Sequence, residues 1–329
     1  TSLSGDEAKN YVLANEAVTA KADIAKRDIT VSGIAAGDKT YDGNTNATIT
    51  NKGTLSNLVQ GETLTVNTVG SFDNKDAGER NVNTTTFIAN GNDEISLATN
   101  YNLTNATNSV NAKINQKALT VAGTVVSNKT YDGNTSATVV VGTLSGFVAG
   151  ENPGSVTGVG TFASKDVARD SSGNVIAQNV AVAYTLADGQ TQVREVECRP
   201  ECGPGEATPG SGGRTKLITV EGAKASNYTL AAETKTATIN AKALTVNGTT
   251  VDNKTYDGNR IATVKVGTLN GLVEGETLGA TTATGTFADQ DAGLNKNVAV
   301  AYTLSNGVNA THKASNYSVA EQTLQATIN

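Results

Sequence analysis

Lys129-Thr-Tyr-Asp-Gly-Asn134 is the stretch whose reading decides the fold, because the same six residues stand at Lys39–Asn44 and at Lys254–Asn259. Around each copy the same landmarks return in the same order. Gly-Thr-Leu follows, beginning at Gly53, Gly142 and Gly267. A Phe with an Asp four residues on comes next, at Phe72/Asp76, Phe162/Asp166 and Phe287/Asp291. An Asn-Tyr pair closes each unit, at Asn100–Tyr101, Asn227–Tyr228 and Asn316–Tyr317. Such a unit is too long for most solenoid repeats and matches a small domain used in tandem.

Local patterning is that of strands. Val180, Val182, Tyr184 and Leu186 alternate with small or polar residues, and Val298, Val300, Tyr302 and Leu304 repeat the pattern. Period two marks half-buried strands. Clusters of Gly, Asn and Asp between the runs supply turns. The segment after Gly-Thr-Leu, such as Leu144-Ser-Gly-Phe-Val-Ala-Gly-Glu151, is the one place that suggests a helical turn or a compact loop. The expected fold class is therefore mostly β, a row of small β-rich domains.

Register locates the seams. Ala20, Ala22 and Ile24 fall on even positions, whereas Ile29 and Val31 are odd. Val110, Ala112 and Ile114 give way to Leu119 and Val121, and Ala237 and Ile239 give way to Leu244 and Val246. A one-residue slip exchanges the faces of a strand. The chain thus leaves one core and enters another, which predicts separate beads joined end to end. The domains read as 1–25, the closing fragment of a preceding repeat; 26–116; 117–241; and 242–329. The middle repeat carries an insertion at about 190–222, rich in Gly and Pro, expected to be an exposed loop or hairpin extension. A smaller surplus lies at Arg169–Ile176.

Composition excludes several function classes. Net charge is −6 without a basic patch, so nucleic acid is not an expected partner. No apolar run approaches the ~18 residues of a membrane helix, so no membrane span is expected. One His serves the whole chain, which leaves catalytic triads without a base, and no Gly-rich phosphate loop occurs. The sequence implies no enzyme activity, no cofactor and no metal.

The candidate site residues are the repeated triplets Tyr41-Asp42-Gly43, Tyr131-Asp132-Gly133 and Tyr256-Asp257-Gly258. Asp-Gly signals a turn with Gly at positive φ, and Tyr can bury its ring while its hydroxyl finds a partner. The structural reading is an anchored turn; the functional one is a repeated ligand site contacting a sugar. The recurring Lys39, Lys129 and Lys254, each near an Asp and an Asn, also raise an isopeptide cross-link. Glu274 and Glu276 read as a solvated turn. Cys198 and Cys202, in the insertion, are expected to pair locally across a tiny ring; a free or intermolecular thiol is the alternative.

Taken together, Lys-Thr-Tyr-Asp-Gly-Asn-Thr, Gly-Thr-Leu-x-Gly-x-Val-x-Gly-Glu, Gly-Thr-Phe-Ala-x-x-Asp, Ala-Ser-Asn-Tyr-x-Leu and Ala-Thr-Ile-Asn-Ala-Lys-Ala-Leu-Thr-Val resemble the YDG repeat, and the related MBG repeats, of filamentous-haemagglutinin-like proteins exported by two-partner secretion. The resemblance covers residues 26–329 apart from the insertion. It implies β-grasp-like domains in an elongated row, forming the stalk or spacer of a secreted bacterial surface adhesin in cell–cell or biofilm-matrix adhesion. It also implies an extracellular location, an outer-membrane secretion partner, and exopolysaccharide or neighbouring adhesin chains as contacts. A carbohydrate-binding repeat array is the alternative function.

Overall fold

A computed structural model of the chain describes residues 2–14, 19–197 and 215–329, with the backbone alone at 194–197 and 215–218. Cys198 and Cys202 lie outside the described residues, so their expected pairing does too. The chain is mostly β, with three tandem domains built to one plan. Its only helical elements among the described residues are single 3-10 turns.

The third repeat shows the plan. Its opening strand Lys242–Asn247 pairs antiparallel with Thr268–Asn270 on one side and parallel with Tyr317–Val319 on the other. A four-stranded antiparallel sheet runs in the order Ile261–Ala262, Thr282–Phe287, Gly293–Thr303 and Gln322–Ile328. In the second repeat the opening strand is Lys117–Ala122, paired with Thr143–Ser145 and Tyr228–Leu230. In the first it is Arg27–Ser32, paired with Thr54–Ser56 and Tyr101–Leu103. The opening strand therefore meets, in parallel, the strand that follows the closing Asn-Tyr, and this long-range pairing ties the two ends of each unit together. Among the described residues, every strand pairing stays within one repeat.

Alternation delivers the core. In Gln178–Leu186, Val180 and Val182 are buried while their neighbours face water. Phe162 stands opposite Val180 across the sheet, as Phe287 does opposite Val298 and Phe72 opposite Val82. The first repeat departs at Asn83-Thr-Thr-Thr-Phe87. Thr84 and Thr86 are buried there, and Thr86 Oγ1 bonds Thr68 Oγ1 at 2.9 Å, so the hydroxyls satisfy one another. Phe87 points outward.

The segment after Gly-Thr-Leu is a short strand and a turn, not a helix. The helical turn lies instead just before the closing tyrosine, at Ala98–Asn100, Ala225–Asn227 and Ala314–Asn316. The insertion projects as a two-stranded antiparallel ribbon, Gln192–Glu197 against Thr215–Val220.

The chain divides into two compact units, Thr1–Gln116 and Lys117–Asn329. The second holds repeats two and three, and here the expectation of separate beads needs correcting. The core of repeat two, built on Tyr131, Phe162, Val180, Val182 and Ile239, continues into Leu244 and Tyr317 of repeat three. A further cluster, with Phe287, Val298, Val300 and Ile328, belongs to repeat three alone. A unit of this size buries only a modest core, so packing against a neighbour adds apolar burial that it cannot supply internally.

Phe287 is fully buried and Phe87 is 55% exposed. Phe287→Ala is expected to lower stability by about 3–5 kcal/mol through transfer and cavity costs. Phe87→Ala should stay within about 0.5 kcal/mol of the parent. Denaturant titration of both variants by circular dichroism checks the pair.

Candidate functional site

Each Tyr-Asp-Gly triplet folds the same way. Lys-Thr forms a short strand or bridge, and the tyrosine N–H donates to the carbonyl of Asn115, Asn240 or Asn329 at 2.8 Å. Gly43, Gly133 and Gly258 take φ of 81°, 81° and 73°, a region that a side chain disfavours. The carboxylate of Asp132 accepts from the Asn134 N–H at 3.1 Å, closing the turn, and Asp42 and Asp257 repeat the bond.

The preceding lysine clamps the turn from inside. Lys129 Nζ donates to Asp132 at 2.7 Å, to the Asn134 carbonyl at 2.8 Å and to Asn134 Oδ1 at 3.0 Å. It also sits 5.6 Å from the centre of the Phe162 ring, within cation–π range. Lys39 and Lys254 make the same set over Phe72 and Phe287. Burial works to raise the Asp132 and Asp42 pKa values, but the bonds from lysine and from the asparagine N–H outweigh it and hold both below the ordinary carboxylate value. Asp257 is lowered chiefly by its hydrogen bond from Lys254. An isopeptide bond forms between an uncharged amine and an amide with the help of a protonated acid; these lowered carboxylates favour the ion pair instead.

The tyrosines divide the copies. Tyr41 and Tyr131 are buried, whereas Tyr256 is 54% exposed. Tyr131 is buried because it plugs into repeat three. Its hydroxyl donates to Glu276 Oε1 at 2.6 Å, and its ring meets that of Tyr317 edge-on with centroids 5.4 Å apart. The other carboxylate oxygen of Glu276 accepts from the Tyr317 hydroxyl at 2.7 Å, and Lys165 Nζ reaches Oε1 at 3.0 Å. The Val273 N–H donates to Tyr317 Oη and completes the socket. Burial alone would raise the Glu276 pKa, but these three donors hold it below its ordinary value. The same burial and the carboxylate acceptor push Tyr131 and Tyr317 up.

A second set of bonds lies beside the plug. Asn316 is fully buried and reads the loop after Phe162 twice. Its Nδ2 donates to Asp166 at 2.8 Å, and its Oδ1 accepts from the Val167 N–H at 2.9 Å. Lys313 pairs with Asp166 at 2.6 Å, and Arg169, from the smaller sequence surplus, donates to the Ser315 carbonyl at 2.9 Å.

Comparison with known protein families matches the YDG domain three times, over residues 25–109, 115–192 and 240–324. The chain belongs to the YDG domain family. No curated protein matches it. The second match stops where the inserted ribbon of the middle YDG domain begins.

Reading the sequence alone singled out the turn of the YDG motif but missed its receptor. Glu276, taken for part of a solvated turn, is the buried centre of the junction, with a side chain only 7% exposed. Its counterparts Glu151 and Glu62 accept from Tyr228 and Tyr101 in the same way. The signal was present as Val-x-Gly-Glu at Val59, Val148 and Val273, each far in sequence from the Asn-Tyr it serves.

Two predictions follow from this geometry. A side chain at Gly133 would stand 3.0 Å from Val273 and at strained φ, whereas one at Gly258 would meet nothing. Gly258→Val should cost only the turn strain, about 1–2 kcal/mol, while Gly133→Val should cost more and also loosen the junction. Hydrogen exchange at Val167, whose N–H is held by Asn316, separates the two effects. The second concerns pH. Glu276 is lowered from 4.5 and Asp166 from 3.8. Their stabilisation is complete above those unfolded values and is lost as pH falls through the lower folded ones. Protection at Val167 should therefore hold at neutral pH and collapse on acidification below about pH 4.

Proposed function

We propose that the chain is a structural stalk segment of a large secreted bacterial surface adhesin, acting in cell–cell or biofilm-matrix adhesion. One observation carries this reading. At the junction of the second and third YDG domains, the recurrent landmarks Tyr131, Asp166, Glu276, Asn316 and Tyr317 bond one domain to the next. A unit whose signature residues join it to its neighbour is suited to transmitting force along a series. The role is mechanical, not catalytic. Exopolysaccharide and neighbouring adhesin chains are its proposed contacts, and an outer-membrane pore its proposed export partner.

Small-angle scattering at low protein concentration tests the stalk. The expected radius of gyration lies well above the roughly 20 Å of a compact globule of this length; a value near 20 Å would sink the proposal. A glycan array run beside it should show no saturable binding. Binding that Tyr256→Ala abolishes would replace the stalk with the carbohydrate-binding array.

A further inference from the structure

Four Asn-Gly pairs occur in the chain, beginning at Asn90, Asn247, Asn270 and Asn306. This pair carries a chemistry of its own. The glycine nitrogen lies within reach of the asparagine side-chain amide, and glycine has no Cβ to obstruct the approach. All four asparagines are exposed, so access to water does not distinguish them.

Hydrogen bonds and space do. Asn90 Oδ1 accepts from the Ala98 N–H at 2.9 Å, and the Gly91 N–H donates to the Ser96 carbonyl at 2.9 Å. At the fourth pair, Asn306 Oδ1 accepts from the Ala314 N–H at 2.9 Å, and the Gly307 N–H donates to the His312 carbonyl at 2.8 Å. Asn270 Nδ2 donates to the Thr268 carbonyl at 2.9 Å. The Asn247 side chain and the Gly248 N–H make no hydrogen bond among the described residues. A Cβ at Gly91 would stand 2.0 Å from the Thr63 carbonyl oxygen, and one at Gly307 2.1 Å from that of Thr277; at Gly248 it would meet nothing within 4 Å.

Asn247 ends the strand Lys242–Asn247, and Gly248 turns the chain at φ 81°. The equivalent pairs in the first two domains are Ser32-Gly33 and Ala122-Gly123, on turns with φ of 73° and 84°. The turn is common to all three domains, whereas the reactive amide belongs to the third.

We propose that Asn247 is a self-modification site, at which the folded chain converts this asparagine to aspartate and isoaspartate. Water is the co-reactant. Hydroxide removes the Gly248 amide proton, the nitrogen attacks Asn247 Cγ, and a new C–N bond closes a five-membered imide. The bond from Cγ to the side-chain nitrogen breaks, and ammonia leaves with a proton from water. Water then opens the ring at either carbonyl. One opening gives aspartate; the other gives isoaspartate, whose main chain runs through the side-chain carbon. Water is consumed and ammonia released.

The consequence falls on the third domain. Isoaspartate lengthens the main chain by a methylene carbon just before Thr249. Thr249 is buried, and its hydroxyl accepts from Tyr302 Oη at 2.8 Å and from the Gly267 N–H at 3.2 Å. The added length draws that hydroxyl away from both donors and loosens the pairing of Val246 and Asn247 with Leu269 and Thr268.

Mass spectrometry of the full chain, held in mildly alkaline buffer and then digested with trypsin, tests this. Trypsin puts the four pairs on separate peptides. The Asn247 peptide should be the first to gain the mass of NH2 replaced by OH. Each hydrogen bond that must break beforehand slows reaction by about fivefold. Asn270 should therefore lag by about fivefold, and Asn90 and Asn306 by about 25-fold. In urea the four rates should converge, because the folded structure sets their order. Asn247→Ser, which installs the residue of the first domain's turn, should abolish the early product and leave melting unchanged. In the isoaspartate fraction, hydrogen exchange at Gly267 should quicken. An Asn247 that stays intact, or Asn90, Asn270 or Asn306 reacting as fast in the folded chain, overturns the proposal. The inference does not depend on the stalk reading.

Discussion

A single carboxylate, that of Glu276, accepts hydrogen bonds from two tyrosines that belong to different domains. One of them, Tyr317, closes the third domain on itself; the other, Tyr131, arrives from the second. A charge taken out of water must be paired and hydrogen-bonded. Lys165 and the two hydroxyls meet that demand together. The internal closure of the third domain and its attachment to the second thus use the same buried group.

The rest of the domain can be understood as holding that contact in place. The tyrosine that plugs the socket sits on a turn that cannot drift, because a lysine beneath it is bonded to the Asp and the Asn of the turn and rests against the Phe of the core. The socket tyrosine sits at the start of a strand that pairs in parallel with the opening strand of the domain. That strand leads directly from the end of the previous repeat, so chain connectivity and side-chain docking fix the same arrangement from two sides. In such small units, with few large apolar side chains, a shared core also offsets the limited burial available within one repeat.

Variation falls where this arrangement tolerates it. The first domain has Thr84 and Thr86 in place of apolar or aromatic sheet residues; the Thr84 hydroxyl donates to the Asn108 carbonyl and the Thr86 hydroxyl pairs with that of Thr68. The middle domain carries its ribbon, Gln192–Glu197 with Thr215–Val220, outside the three- and four-stranded sheets. The positions equivalent to the junction lysines Lys165 and Lys313 hold Gln290 in the third domain and Leu97 in the first.

Much of the fold was legible in the sequence, because strand alternation and turn chemistry are local. Val180 and Val182 announced a half-buried strand, and Asp132-Gly133 announced a turn at positive φ. The recurrence of the landmarks announced tandem domains. The role of Glu276 was not legible, since a lone carboxylate in a glycine turn looks solvated until a distant Tyr317 and a tyrosine of the previous domain converge on it. The helical turn at Ala314–Asn316 was likewise hidden, being three residues long and without a helical period. The sequence by itself determined the strands, the turns and the number of repeats, all set by neighbours along the chain. Only the tertiary structure decided which repeated residues face inward and which face the next domain, because burial of a polar group is a property of what surrounds it in space.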